Sequence, residues 1–462
     1  MSLRAPSLAP PVLATGRPGV SYTGPMRRRR LLQGAALAVA AGALTAGAAL
    51  VDKPRRDEVG PYSLGVALGL DGTPVLIDVD SSAAYLPGSR VVAPQNGSAA
   101  AWATAAALAE GQRDWLAAGI VPGAGTDHEE LVRSALLDLS VLTLPHGGTV
   151  AALNHKWHYV WPRDAAFVAA AFAATGHHAD AASNLHFLQR VQHDDGSFQA
   201  RYLPDGAGTP DDRGRQTDGT GWAVWALERV VAAAPAAEQS SIAETFGSLL
   251  RRSTAFLLAE VGGGDALPAP SSDYWEHRER ALTLGTAAPV LAGLEAAGRL
   301  HERLGETSVA LQVRDSAART RAAIEHRFGR HGYGRYAHRG ADADAASAFV
   351  LPPYQPSALT GAVTAWRDSV EQMRRPAGGL APGGGWQETG LSWTPETALY
   401  AWAAAAVGDV RTAHDWLRWL AAHRTTLGAI PEKVRDDGGP AGPAPLAWSC
   451  ALVVLTAVEL GV

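Results

Sequence analysis

Glutamates set in loops among tryptophans are the first feature of this chain able to do chemistry. Glu276 lies in SSDYWEHRE and Glu432 in GAIPEKV. Cleaving a glycosidic bond with inversion needs one protonated carboxyl at the leaving oxygen and one carboxylate that activates water on the opposite ring face. The aromatics beside Glu276 are of the kind that desolvate a carboxyl and raise its pKa, as a general acid requires. A surface glutamate paired with Arg278 or Arg280 is the plain alternative. Glu432 follows Pro431 and precedes a Gly and Pro loop and the segment PLAWSCA. A carboxylate just ahead of an apolar helix also serves as a helix-terminus charge. Glu388 in GWQETG and Glu396 in WTPET compete with it for the role of base.

A second constellation lies in LNHKWHYVWPRDAAFVAAAF, which sets Trp161, Arg163 and Asp164 at the mouth of a helix. An arginine fork with a carboxylate can hold two neighbouring hydroxyls, supplying orientation rather than chemistry; Asp164 acting as a simple helix cap is the bland reading. The chain has 14 Trp and only 8 Phe, and Trp157, Trp161, Trp275, Trp386 and Trp393 all fall in the longer loops. Indole faces stack on the C–H faces of pyranose rings, so the excess suits a sugar site, unless the rings plug the core instead. His155, His158 and the pair His177-His178 match no standard zinc spacing, so no metal is expected. The sequence has neither a phosphate-cradling glycine loop nor a Gly-x-Ser-x-Gly elbow, and no cofactor is implied.

The elements that must position these residues are helical. Of the 462 residues 47% are hydrophobic, and long Ala- and Leu-rich stretches lack Pro. A net charge of −5 offers no basic face for a phosphate backbone, which argues against nucleic acid and for a neutral small molecule or oligosaccharide. Cys450, alone of its type, reads as a buried small hydrophobe. Met26, Arg27 to Arg30 and the apolar run from Leu31 to Val51 read as an export leader of twin-arginine type, with translation starting at Met26 as one reading. An uncleaved anchor is the only membrane contact expected. Residues 1–52 are therefore set aside as leader, and residues 53–128 form a cap or linker region whose runs VALGL and VLIDV flank the turn Asp71-Gly72. Residues 129–462 form one domain, with helices expected to start near 129, 164, 179, 217, 238, 284, 306, 344, 356, 394, 409 and 445. An even number of antiparallel helices predicts an all-α fold, the (α/α)6 toroid, with an open solenoid as its competitor.

In order along the chain, LPHGGTVAALNHKWHYVWPRDAAFVAAAF, GRQTDGTGWAVWAL, DYWEHRE, DADAASAFVLP, and GAIPEKV with PLAWSCA resemble the motifs of glycoside hydrolase family 15, the glucoamylase-type enzymes. The resemblance spans about residues 129–460 and rests on the ordered set. It implies an (α/α)6 barrel and an inverting, exo-acting release of β-glucose. It assigns the acid to Glu276, the base to Glu432 rather than Glu388, and the grip on the non-reducing glucose to Arg163 and Asp164 beside Trp161. It places Gln216 and Asp218 in the pocket wall, and Trp275 and Trp386 complete the expected sugar contacts. Two departures stand out. The family's second Glu after the acid is His277 here, and its Gly-Arg-Tyr element is replaced by GLSWTPET. The acid and base lie 432 − 276 = 156 positions apart, which leaves little room for starch-site insertions, and no starch-binding module is visible; both points favour short oligosaccharides, α-1,6-linked ones such as isomaltose included. The alternatives are a trehalase or another helical-toroid glycosidase, and a non-catalytic sugar-binding protein on the same scaffold.

Overall fold

The computed structural model describes residues 60–462, so the expected leader lies outside the described residues. Among the described residues no helix is long and apolar enough to cross a membrane. They open with an antiparallel hairpin of β1 (Gly65–Leu68) and β2 (Pro74–Ile77). Gly72 turns it at φ +79°, a conformation open to glycine at little cost, and Asp71 Oδ1 accepts from the Thr73 N–H at 3.0 Å. Helix α1 (Ala99–Ala118), which the sequence reading did not place, follows. Its run AAAWATAAALAEGQRDWLAA is apolar on most sides, so no stripe of helical period marks it.

From residue 129 the helices come in pairs: α2 (Glu129–Leu142), α3 (Pro162–Ala174), α4 (His178–Val191), α5 (Thr217–Ala233), short α6 (Gln239–Thr245), α7 (Gly247–Glu260), α8 (Leu284–Arg303), α9 (Thr307–Arg327), a 3-10 helix (Ala345–Val350), α10 (Ala362–Met373), α11 (Thr394–Ala406), α12 (Val410–Ala422) and α13 (Ala447–Leu460). Their contacts close a ring. α3 packs on α5, α5 on α8, α8 and α11 on the 3-10 helix, α11 on α13, and α13 back on α3. Around this ring stand α2, α4, α7, α9, α10 and α12, each against an inner neighbour. Six inner and six outer elements make the (α/α)6 barrel.

The sequence separates the two layers. Every residue of α3 from Pro162 to Ala173 is buried, as befits a helix apolar all round. α12 buries only Ala413, Trp416, Leu417 and Leu420, one stripe of helical period. Where α5 meets α8 the backbones touch. A Cβ on Gly221 would lie 2.1 Å from the Pro289 carbonyl oxygen, and one on Gly293 would lie 2.7 Å from the Gly221 Cα. Two expected helices differ from expectation. The one near 344 is a 3-10 helix, and the one near 356 starts at Ala362, after Gly361, whose left-handed φ of +75° cannot sit inside a right-handed helix.

The excess of tryptophan serves two purposes. Trp222, Trp225 and Trp402 fill the barrel's centre with Phe167 and Tyr354; ring centroids lie 5.0 Å apart for Phe167–Trp225 and 5.1 Å for Tyr354–Trp402. The loop tryptophans gather elsewhere. A three-stranded sheet, β3 (Ser392–Trp393), β4 (Lys433–Val434) and β5 (Pro440–Ala441), pairs Trp393 with Lys433 and so brings two distant loops together at one end of the barrel.

Candidate active site

Residues at the N-terminal ends of α3, α11 and α13, with the loop that precedes α8, meet around one cavity of about 220 Å³. Its lining includes Trp157, Trp161, Arg163, Asp164, Trp275, Glu276, Trp386, Glu396 and Glu432. Helix N-termini carry partial positive charge from unpaired N–H groups, so this rim tolerates carboxylates and favours hydroxyl oxygens.

Glu432 is fixed by its backbone. Its N–H donates to the Pro443 carbonyl at 2.9 Å, and its own carbonyl accepts from Thr394 N–H at 3.0 Å across the edge of the small sheet. Its Oε1 accepts from Trp157 Nε1 at 3.0 Å, while Oε2 is buried with no hydrogen-bond partner among the described residues. Burial pushes its pKa up, against the pull of Lys433, whose Nζ is 3.9 Å away, and of the Trp157 N–H. The rival Glu388 does not line the cavity; it pairs with Lys433 Nζ at 3.1 Å.

Glu276 faces the same cavity from a tight turn. Its φ is +57°, a conformation rare for a residue with a Cβ and of the kind stored at functional sites. Its N–H donates to the Asp273 carbonyl at 2.8 Å. The dry aromatic sleeve expected around it is not there: its side chain is 23% exposed, and Arg213 Nη1 donates to Oε2 at 3.0 Å. The loop owes its shape to a buried arginine the sequence reading did not single out. Arg335 donates to Asp273 Oδ1 at 3.1 Å, Glu279 Oε1 at 2.6 Å and Asp344 Oδ2 at 2.8 Å, and its guanidinium lies 3.7 Å from the centre of the Trp275 ring. Tyr274 adds a hydrogen bond from its hydroxyl to Asp344 Oδ1 at 2.6 Å.

Arg163 and Asp164 both reach the cavity, held by the first turn of α3. Arg163 Nη2 stands 3.0 Å from Asp164 Oδ2 and its Nη1 3.7 Å from Glu276 Oε1, with the guanidinium over the Trp448 ring at 4.6 Å. Arg163 Nε and Nη1 and Asp164 Oδ2 are buried without hydrogen-bond partners among the described residues. Such unused capacity is costly unless a ligand satisfies it. The remaining two wall residues fall elsewhere. Asp218 does not line the cavity; it stands behind Arg163, 3.9 Å from Nη1, where burial raises its pKa to about 7. Gln216 lines an adjoining hollow with Asp212, Arg213, Ser272 and Arg278, reached past Glu276, which borders both.

GLSWTPET, read as a departure, supplies Trp393, Pro395 and Glu396 to the lining. Glu396 sits in the first turn of α11, where the helix terminus favours its charged form by ~0.3–1 kcal/mol. Burial outweighs that, and with Glu432 nearby its pKa is pushed up to about 8. His277 lies flat on Trp386, with ring centroids 5.4 Å apart, and Trp386 meets Trp275 edge-on at 4.8 Å. Trp448, at the start of α13, was legible only as part of PLAWSCA. Among the described residues no three His, Cys, Asp or Glu side chains gather in a way that would hold a metal ion.

No protein-family model and no curated protein matches this chain. Solved structures do. A wild-type glycosidase is similar over 72% of this chain and 96% of its own, at 23% identity and a TM-score of 0.60. A bacterial glucoamylase complexed with acarbose is similar over 79% of this chain and 61% of its own, at 17% identity and TM-score 0.60. The glucoamylase from Saccharomycopsis fibuligera is similar over 72% and 94%, at 12% identity and TM-score 0.57. At these identities the likeness establishes the fold, the helical toroid that glucoamylases also use.

Proposed function

We propose that this protein is an inverting, exo-acting α-glucosidase that releases β-glucose from the non-reducing ends of short α-1,4- or α-1,6-linked glucans and oligosaccharides. The observation that carries the reading is that Glu276 and Glu432, 432 − 276 = 156 positions apart, border one tryptophan-walled cavity. In this reading the terminal glucose stacks on indole faces, and the free polar atoms of Arg163 and Asp164 take neighbouring hydroxyls. Glu276 passes its proton to the glycosidic oxygen as the C1–O bond breaks. Glu432 takes a proton from the water that attacks C1 from the opposite face, so the α-linkage yields a β-product. The adjoining hollow beyond Glu276 takes the leaving sugar. For Glu276 to carry its proton, Arg213 must turn from Oε2 toward that sugar, and its 40% exposed side chain leaves it room to do so.

The fold comparisons lend support, since a glycosidase variant was solved in complex with glucose and a bacterial glucoamylase with acarbose. His277 beside the acid, and GLSWTPET in place of the family's arginine element, support a preference for α-1,6-linked substrates such as isomaltose. The basic, apolar run after Met26 supports export, with the enzyme secreted or held at the cell surface. N-terminal sequencing of protein recovered from the medium tests that placement.

Proton NMR of the purified protein with maltose, isomaltose and trehalose tests the activity. β-Glucose appearing first from maltose or isomaltose is expected. First release of α-glucose would refute inversion, cleavage of trehalose alone would make it a trehalase, and glucose binding without turnover of any disaccharide would make it a sugar-binding protein.

A further inference from the structure

The cavity holds a third glutamate that the hydrolytic scheme leaves idle. Glu396 is almost wholly buried yet lines the cavity, and its Oε2 has no hydrogen-bond partner among the described residues. A buried carboxyl oxygen without a partner is unfavourable, and natural structures rarely keep one unless something else completes it. The charged groups that act on it are Glu432 on the loop before β4, Arg163 on α3, and Asp344 at the start of the 3-10 helix. A second anion beside Glu432 would be repelled, whereas a neutral carboxylic acid there has an O–H to give.

We infer that Glu396 acts as a neutral carboxylic acid that donates a hydrogen bond to one hydroxyl of the pyranose in the cavity, selecting sugars that carry that hydroxyl. The inference rests on the proposal that the cavity accepts a glucose unit. A carboxylic acid suits a sugar hydroxyl, since its O–H donates while its carbonyl oxygen accepts. A site built to satisfy a hydroxyl rejects the analogue lacking it far more strongly than an apolar pocket rejects an extra methylene. The buried acid therefore acts as a specificity determinant, separate from the proton transfers assigned to Glu276 and Glu432. Its protonated state up to about pH 8 is consistent with that role.

The test is calorimetric titration of the full chain with glucose and with its 2-, 3-, 4- and 6-deoxy analogues, from pH 6 to 9.5, for wild type, Glu396→Gln and Glu396→Ala. In wild type, glucose affinity should fall about 30-fold between pH 7 and 9.5, the factor by which the protonated fraction of a group titrating near 8 declines. Glu396→Gln keeps a donor at every pH, so it should bind within about 3-fold of wild type at pH 6.5 and lose little by pH 9.5. Glu396→Ala should bind glucose at least tenfold more weakly, and one of the deoxy analogues that wild type discriminates against should bind this variant as well as glucose does. Parallel pH profiles for wild type and Glu396→Gln, or no deoxy analogue whose penalty disappears in Glu396→Ala, would overturn the assignment of Glu396 alone. Absence of glucose binding by wild type at every pH would overturn both this inference and the proposed function. Should the alanine variant not fold, the glutamine pH profile and the wild-type analogue series still decide.

Discussion

Arg335 is the residue whose removal most directly tests how the acid loop is held. Its guanidinium is 3% exposed, and it is shared by Asp273, Asp344 and Glu279, the first two wholly buried. Replacing it with methionine keeps much of the volume over Trp275 but leaves three carboxylates around a space without a cation. Breaking a buried ion pair from one side costs ~3–5 kcal/mol. With an unfolding entropy of ~2.1 cal/mol/K per residue over about 400 residues, that corresponds to a fall in Tm of roughly 4–6 °C at pH 7.5. The loss should depend on pH with a definite sign. Burial already holds the Asp344 carboxyl above the usual carboxylate range, and Arg335 is the largest influence opposing it. Without Arg335 its folded pKa rises further above the unfolded value. A carboxyl of that kind weakens the fold increasingly as pH rises from the unfolded pKa to the folded one, so the deficit should shrink as pH falls toward 4. Calorimetric melting of wild type and Arg335→Met at pH 4.5, 6 and 7.5 measures it, alongside disaccharide hydrolysis. Activity should fall further than stability does, because the turn carrying Glu276 loses its anchor at Asp273. A variant that melts within about 1 °C of wild type at pH 7.5, or with a deficit independent of pH, would show that the arginine does not hold the loop.

Three further outcomes follow from named contacts. Glu276→Gln and Glu432→Gln should each lower kcat by about 10²–10⁴-fold while leaving the circular dichroism spectrum and Tm close to wild type, since neither side chain supports the core. Trp157→Phe removes the N–H that Glu432 Oε1 accepts and so raises the pKa of a base that must be ionised. The acidic limb of the kcat/KM profile should move up by about 0.5–1 pH unit, and an unmoved limb would exclude Glu432 as the base. Gly221→Ala inserts a methyl 2.1 Å from the Pro289 carbonyl oxygen, forcing α5 and α8 apart. Denaturant unfolding should show a loss of about 1–3 kcal/mol, and wild-type stability would mean the two helices do not pack at backbone contact.

Helical periodicity and Gly or Pro breaks located eleven of the twelve expected starts within two residues, all but the one near 356, though they did not separate α7 from α6, because each outer helix must bury a stripe and each break ends it. The same logic was blind to α1, whose alanines leave no stripe to read. Closure of the ring was inferred from an even helix count, but what permits it locally is the pairing of Gly221 with Gly293, two residues 293 − 221 = 72 positions apart that no periodicity connects.

The site divides along a similar line. Residues within a few positions of a motif were legible: Glu276 and Glu432 border one cavity, with Arg163, Asp164 and all five of the loop tryptophans beside them. What escaped depends on which chain segments meet. Asp218 shares a motif with Gln216, yet on the first turn of α5 its side chain lies behind Arg163, where it backs the guanidinium instead of facing a ligand. Arg213 and Arg335 come from loops without a recognisable motif, and each acts through an acid brought close only by folding. Glu396 was named as a competing base, and its local sequence supports that equally well. Burial at the start of α11, beside an already buried Glu432, raises the pKa of Glu396 to about 8, and on that ground together with its unpartnered Oε2 the donor role is inferred for it instead. Burial raises both glutamates, 432 − 396 = 36 positions apart; in the proposed scheme Glu396 keeps its proton while Glu432 works ionised, a difference favoured by the Trp157 N–H and the Lys433 ammonium that act on Glu432.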